Sequence, residues 1–322
     1  MSKKSVLILI MAVWAAVGAQ PQGIKAGPLY QILLLNNPGL SGSEGDGILR
    51  IAYVNHYPGN HLNLNSGYLS YDSYFGQLHG GASVFLSEDY LGGIINDLAG
   101  GFSYAYFLKA GKDLFINAGL SASVFHRGYN FGSAVLPDQI DPMGGITLPP
   151  GEILDARGKT MLDLGAGFVV SSGLLSGGFG VNHLAEPVVS TSAISSERIR
   201  RRYTAHFSGD FKLNTSHDIR VEPIFLTVIQ GDYFSVEGGA SLASDHFAVN
   251  TVVSADNGAS MNIQAGFAVS FSIVGLFYNY RFNAVTGNEL LPISLLHQVG
   301  ISISLNNVEK RKAFRTINFP KM

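Results

Sequence analysis

"LFINAGLSASVF", residues Leu114 to Phe125, decides the kind of chain this is. Leu114, Ile116, Ala118, Leu120, Ala122 and Val124 fall on one side of an extended backbone, and Asn117, Gly119, Ser121 and Ser123 on the other. The same period of two runs through "YTAHFSGDFKL", where Tyr203, Ala205, Phe207, Gly209, Phe211 and Leu213 oppose Thr204, His206, Ser208, Asp210 and Lys212. It returns where Phe234, Val236, Ala240 and Leu242 oppose Ser235, Glu237 and Ser241, and where Ile263, Ala265, Phe267, Val269 and Phe271 oppose Gln264, Gly266 and Ser270. An exported antiparallel sandwich also alternates, because each of its sheets packs one face on a core. Length separates the two: soluble strands usually run about 5 or 6 residues, whereas these runs reach about 10 to 13, enough for a tilted strand to cross a bilayer.

Marking every such run tiles the chain with about fourteen strands, at 47–56, 61–72, 78–88, 96–109, 112–126, 160–171, 174–184, 199–214, 218–229, 231–243, 246–256, 259–270, 273–283 and 295–305. An even number returns the chain to its starting side, as in single-chain outer-membrane barrels with short periplasmic turns and longer outer loops. The three longest connections, 127–159, 185–198 and 284–294, are the fifth, seventh and thirteenth, all on one side. Short ones such as "KAGKD", "SSGL" and "NTSHD" fall on the other. The expectation is an all-β, transmembrane, antiparallel up-and-down β-barrel of outer-membrane type.

Composition agrees. Charged residues make up 14% of the 322, apolar residues 46%, and 39 are glycine; soluble proteins carry roughly 25% charged residues. A net charge of −2 gives no reason to expect nucleic acid. With no cysteine, structural disulfides, thiolate metal sites and a cysteine nucleophile are excluded. No HExxH, P-loop or GxSxG motif occurs, and no cofactor or metal is expected. The opening "MSKKSVLILIMAVWAAVGAQ" places two lysines before an apolar stretch from Val6 to Val17 and small residues before Gln20, the pattern of a Sec signal peptide cut after Ala19. The organisation read from this is a signal peptide at 1–19, a periplasmic segment at 20–46, the barrel at 47–306, and a basic periplasmic tail at 307–322.

In this register Asp163, Arg200, Arg202, Asp210, Lys212, Arg220, Glu222, Glu237 and Arg281 lie opposite the apolar row, on the face that becomes the lumen. Either they compensate one another as a lining, or they offer a polar path or binding surface to a substrate. His183, His206 and His297 are among the histidines in or at the ends of strands. His206 shares its face with Ser208 and Asp210, the residue types of a barrel-borne hydrolase, although alternation alone produces that arrangement.

Ahead of the first strand, "LLLNNPGLSG" (Leu33 to Gly42) breaks the alternation. Proline pushes Asn37 to an extended conformation, and Pro38-Gly39 is a turn signal, which predicts a turn delivering the chain to the barrel rim. Asn37, Pro38 and Gly42, preceded by Tyr30, resemble the NP-x-x-x-G signature of the PorP/SprF family of Bacteroidetes outer-membrane proteins. "SYDSYFGQLHGGASVFLSEDYLGG", with Tyr71, Asp72, Gly80 and Gly81, resembles that family's second and third strands. "GGFGVNHLAEP", with His183 and Pro187, resembles its central segment, and "LPISLLHQVGISISL", with His297, its closing one. One departure is Arg281 after Tyr280, where the family often carries an aspartate. The resemblance implies an integral outer-membrane, non-enzymatic component of type IX secretion and gliding. It would assist secretion or surface retention of large adhesins through their C-terminal signal domains, with periplasmic or peptidoglycan-linked secretion components as partners. A passive channel or hydrophobic-solute transporter is the alternative, and a hydrolase a third reading.

Overall fold

The computed structural model describes residues 33–56, 58, 64–130, 140–141, 145–146, 158–190, 197–214, 219–285 and 295–305. Among them no helix is long and apolar enough to cross a membrane. Fourteen antiparallel strands form the wall. They are β1 (Ile48–His56), β2 (Leu64–Phe75), β3 (Gly80–Leu91), β4 (Ile95–Lys109), β5 (Leu114–Tyr129), β6 (Lys159–Ser172), β7 (Leu175–Asn182), β8 (Arg202–Gly209, continued by Phe211–Asn214), β9 (Ile219–Gln230), β10 (Tyr233–Ala243), β11 (Phe247–Asp256), β12 (Met261–Phe271), β13 (Val274–Val285) and β14 (Leu296–Ser304). A two-stranded hairpin, Ile140–Asp141 with Gly145–Ile146, interrupts the connection from β5 to β6.

Each strand pairs with its sequence neighbours, and β1 with β14 from Ile48↔Ser304 to His56↔Leu296, so no edge remains. Closure satisfies every strand of the ladder in a solvent that offers no hydrogen bonds. The outward row is apolar and stands open to the lipid: Leu120 is 69% exposed, Leu162 74% and Phe102 62%. The inward row is polar, with Asn117, Ser103, Gln264 and Asn279 buried. Strand ends agree with the sequence reading to within about three residues, except at β8. There the ladder lapses at Asp210, where the β8–β9 register sets Gly209 opposite Pro223. Proline has no N–H for the ladder, and the Asp210 amide donates instead to the Leu174 carbonyl at 3.0 Å.

The lumen is a packed polar core. On the side of β9–β14, Asn250 Nδ2 donates to Asn279 Oδ1 at 2.9 Å and Asn279 Nδ2 to Gln298 Oε1 at 3.4 Å. Gly266 makes room for this amide ladder, since a Cβ there would lie 1.8 Å from Asn279 Oδ1. The opposite side is filled by the chain's own N-terminal segment. A helical turn, α1 (Leu33–Asn36), and a 3-10 turn (Pro38–Leu40) lie inside the wall against β4–β7. Within 20–46, expected as a periplasmic approach to the rim, residues 33–46 therefore sit in the lumen. The reason is local: the turn's backbone finds partners on the polar inner wall that replace water.

Candidate functional site

The inserted segment is held through its own turn chemistry. Asn37 is extended (φ −153°, ψ 109°) and caps the 3-10 turn, its Oδ1 accepting from Gly39 N at 2.9 Å, with Pro38 opening the turn. The Asn37 amide also donates to the Phe168 carbonyl of β6 and contacts His206 Nε2 of β8, each at 3.0 Å. One step up, Thr204 Oγ1 donates to the Asn36 carbonyl at 2.5 Å and Asn182 Nδ2 to the Leu35 carbonyl at 2.7 Å. One step down, Ser41 Oγ donates to the Pro38 carbonyl at 2.8 Å and meets Ser103 Oγ at 2.5 Å and Ser83 Oγ at 3.3 Å. Gly42, at φ 64°, sends its N–H to Asp72 Oδ2 at 3.0 Å. Asp72 also pairs with Arg50, which in turn pairs with Glu44 of the segment.

Wall glycines provide the clearance. A Cβ on Gly81 would lie 2.0 Å from the Ser41 carbonyl oxygen, one on Gly119 2.4 Å from the Pro38 carbonyl, one on Gly167 2.1 Å from Asn37 Oδ1, and one on Gly180 2.3 Å from the Asn36 carbonyl. Four strands have thus given up side chains to the same passenger, a close backbone approach that only glycine permits.

Above the segment, toward the long connections, the lumen opens into a cavity of about 220 Å³. Leu34 and Leu35 form its floor, with Phe85, Phe125 and Val189 around it. An ion pair and a histidine–carboxylate contact stand in the wall. Arg127 Nε and Nη2 form a fork with the two Asp97 oxygens, both at 2.7 Å, and His183 Nδ1 lies 2.7 Å from Asp163 Oδ2. Arg202 also lines the cavity, and its Nε and Asp163 Oδ1 are buried with no partner among the described residues. The connection from β7 to β8 folds over this mouth. Its limbs pair at Val188↔Arg198, Ile199 N donates to the Pro187 carbonyl at 3.0 Å, and Lys159 Nζ donates to the Ser190 carbonyl at 2.9 Å. Cavity and mouth together can receive a polar guest, offering it both a donor and an acceptor.

The residues singled out in the sequence fall into three places. Asn37, Pro38, Gly42, Asp72 and Gly81 build the inserted segment and its seat, while Gly80 packs within the wall, its Cβ position 2.1 Å from the Ala105 carbonyl. His183, Pro187, Asp163 and Arg202 belong to the mouth and cavity. Tyr71 and His297 point outward. His297 packs between Tyr278, whose hydroxyl contacts its Nδ1 at 2.6 Å, and Tyr280, at 5.0 Å between ring centres.

Of the other inward charges, Glu222, Glu237 and Arg281 are buried, Arg281 Nη2 lying 3.6 Å from Glu237 Oε1, and Arg220 Nη1 lies 3.9 Å from Asp210 Oδ2. Lys212 shares their face but is exposed near the short-turn end. Arg200 departs from expectation. The mouth connection holds the chain up to Ile199, so β8 starts only at Arg202 and Arg200 is an exposed loop residue whose carbonyl accepts from Gln230. The His206–Ser208 pairing does not form either: His206 Nε2 meets Asn37, and Ser208 Oγ meets Ser176 Oγ at 2.7 Å.

The sequence reading missed the Ser41–Ser83–Ser103 cluster, the Arg127–Asp97 fork and the seat glycines other than Gly81. The available signal was the run of glycine and serine on inner rows, where a hydrated pore needs no such small residues. The profile described as type IX secretion system membrane protein PorP/SprF matches residues 22–304. Comparison with curated proteins gives no match. Similar solved structures include the KdgM porin in complex with disordered oligogalacturonate (7% identity, 80% of this chain and 99% of that one, TM-score 0.39). Others are the Acinetobacter baumannii outer-membrane protein Omp33 (8%, 82% and 100%, TM-score 0.41) and a Pseudomonas aeruginosa FadL homologue (12%, 84% and 93%, TM-score 0.44).

Proposed function

The chain belongs to the PorP/SprF family of type IX secretion system membrane proteins, and from that premise we propose that it works as a docking barrel, not as a conduit or an enzyme. In this reading it assists secretion or surface retention of large adhesins, including those of gliding, by engaging their C-terminal signal domains at the long-loop mouth. Periplasmic or peptidoglycan-linked secretion components meet its short-turn end.

The observation that supports this most is the burial of the lumen lining among the described residues. A solute path needs water-accessible inner residues, as in porins. Here Gln298 and Asn279 are 0% exposed and Glu222 is 1% exposed, while the N-terminal segment occupies the opposite side. The mouth cavity is lined by Arg202 and Asp163, whose Nε and Oδ1 are buried without a partner among the described residues. A peptide backbone, which donates and accepts at every residue, is suited to such a pair.

The test is a deletion strain read by surface proteomics. One or a few large proteins should leave the cell surface while other barrels assemble normally, and a chain lacking part of 137–158 should reproduce the loss. An unchanged surface proteome with reduced uptake of a small solute would reject docking in favour of a channel.

A further inference from the structure

The direction of the inserted segment has a topological consequence. Leu34 and Leu35 sit in the cavity beside Asp163 and His183, at the end of the lumen that carries the long connections. Asn37 lies lower, against Gly167 and Phe168 in the body of β6. Ser41 and Gly42 lie lower still, against Gly81 and Ser83 at the start of β3 and Asp72 near the end of β2. Gly47, one residue before β1, is at the short-turn end, where its carbonyl accepts from Leu305 N just past β14 at 2.8 Å. From Leu34 to Gly47 the chain thus descends the lumen from the long-loop mouth to the short-turn end.

We infer that the chain threads its own barrel, entering the lumen at the long-loop mouth by Leu34 and leaving it at the short-turn end by Gly47, so that the two ends of this passage lie on opposite sides of the outer membrane. Fourteen strands alone would return the chain to its starting side; the lumen passage is a fifteenth crossing. Long loops face outward in outer-membrane barrels, so Leu34 stands at the cell-surface end of the passage and Gly47 at the periplasmic end. Leu34 and Leu35 then share the mouth cavity with any guest that enters it. This inference rests on the path of residues 34–47 and holds whether or not an adhesin is the guest.

The absence of cysteine makes the test direct. Single variants Leu35→Cys and Asp46→Cys, both half-buried, are treated with a small membrane-impermeant methanethiosulfonate on intact cells and after permeabilisation. Leu35→Cys should label on intact cells, and Asp46→Cys only after permeabilisation. A separate Ser41→Cys/Ser83→Cys pair, whose native oxygens are 3.3 Å apart, should oxidise to a disulfide in the same membranes and report that the segment is seated. Labelling of Leu35→Cys confined to permeabilised cells, or absent in both, overturns the threading, as does failure of the Ser41→Cys/Ser83→Cys pair to cross-link in a barrel that folds.

Discussion

Replacing Asn37 with alanine removes the side chain on which the seated segment depends most. It makes three interactions: one to Gly39 N within the turn, one to the Phe168 carbonyl and one to His206 Nε2. Asn37 is 0% exposed, so water cannot replace them without entering the seat. Each such bond contributes about 1 kcal/mol net, and each partner left buried and unsatisfied costs about 1–3 kcal/mol, so a total of about 3–5 kcal/mol against seating is a conservative sum. That corresponds to a fall of about 10²- to 10⁴-fold in the ratio of seated to displaced segment. The wall pairs strand to strand without Asn37, so the barrel itself should still form. Hydrogen exchange reads the local equilibrium: the Leu40 and Ser41 amides, which bond the Asn37 and Pro38 carbonyls, should exchange faster by that factor, with β11–β14 amides unchanged. Planar-bilayer recordings should show openings absent from the parent. Parental exchange at Leu40 and Ser41 in a folded Asn37→Ala barrel would refute the view that this side chain seats the segment.

Steric displacement should act in the same direction: Gly119→Val, whose Cβ meets the Pro38 carbonyl at 2.4 Å, should open the lumen, and Gly238→Val, with no atom within 4 Å, should not. The two faces of the wall can be compared on heat-modifiable gels, where Leu120→Arg should reduce the folded fraction by placing a cation in hydrocarbon at about 2–4 kcal/mol, and Ser121→Arg should be tolerated better. Glu237→Gln strands Arg281, which is buried beside it, and should lower the urea midpoint of the folded barrel by an amount equivalent to about 3–5 kcal/mol; replacing both with apolar residues should cost less than that single change.

The wall was legible in the sequence because two solvents write on it. Lipid demands Leu120 and Phe267 outside, the interior accepts Ser121 and Gln264, and the pleat forces these demands into strict alternation. The mouth was half legible, through His183 and Pro187. The inserted segment was not, since Asn37-Pro38-Gly39 has the same turn chemistry whether it faces water or a polar wall. Its seat was hidden for a related reason: Gly119, Gly167 and Gly180 occupy inner-row positions where any small residue satisfies the pattern, and only the passenger explains why each must lack a Cβ. Arg200 was misplaced because alternation runs on past the point where the mouth connection takes the chain out of the wall.

The glycine-lined seat also bears on how such a molecule is assembled. An added Cβ at Gly81, Gly119 or Gly180 would meet the segment's backbone, and one at Gly167 the Asn37 side chain, so the seat fits this passenger closely. A seat this close favours an order of assembly in which the segment already lies against β3 to β8 as they curl, like sheet metal bent over a mandrel that is never withdrawn.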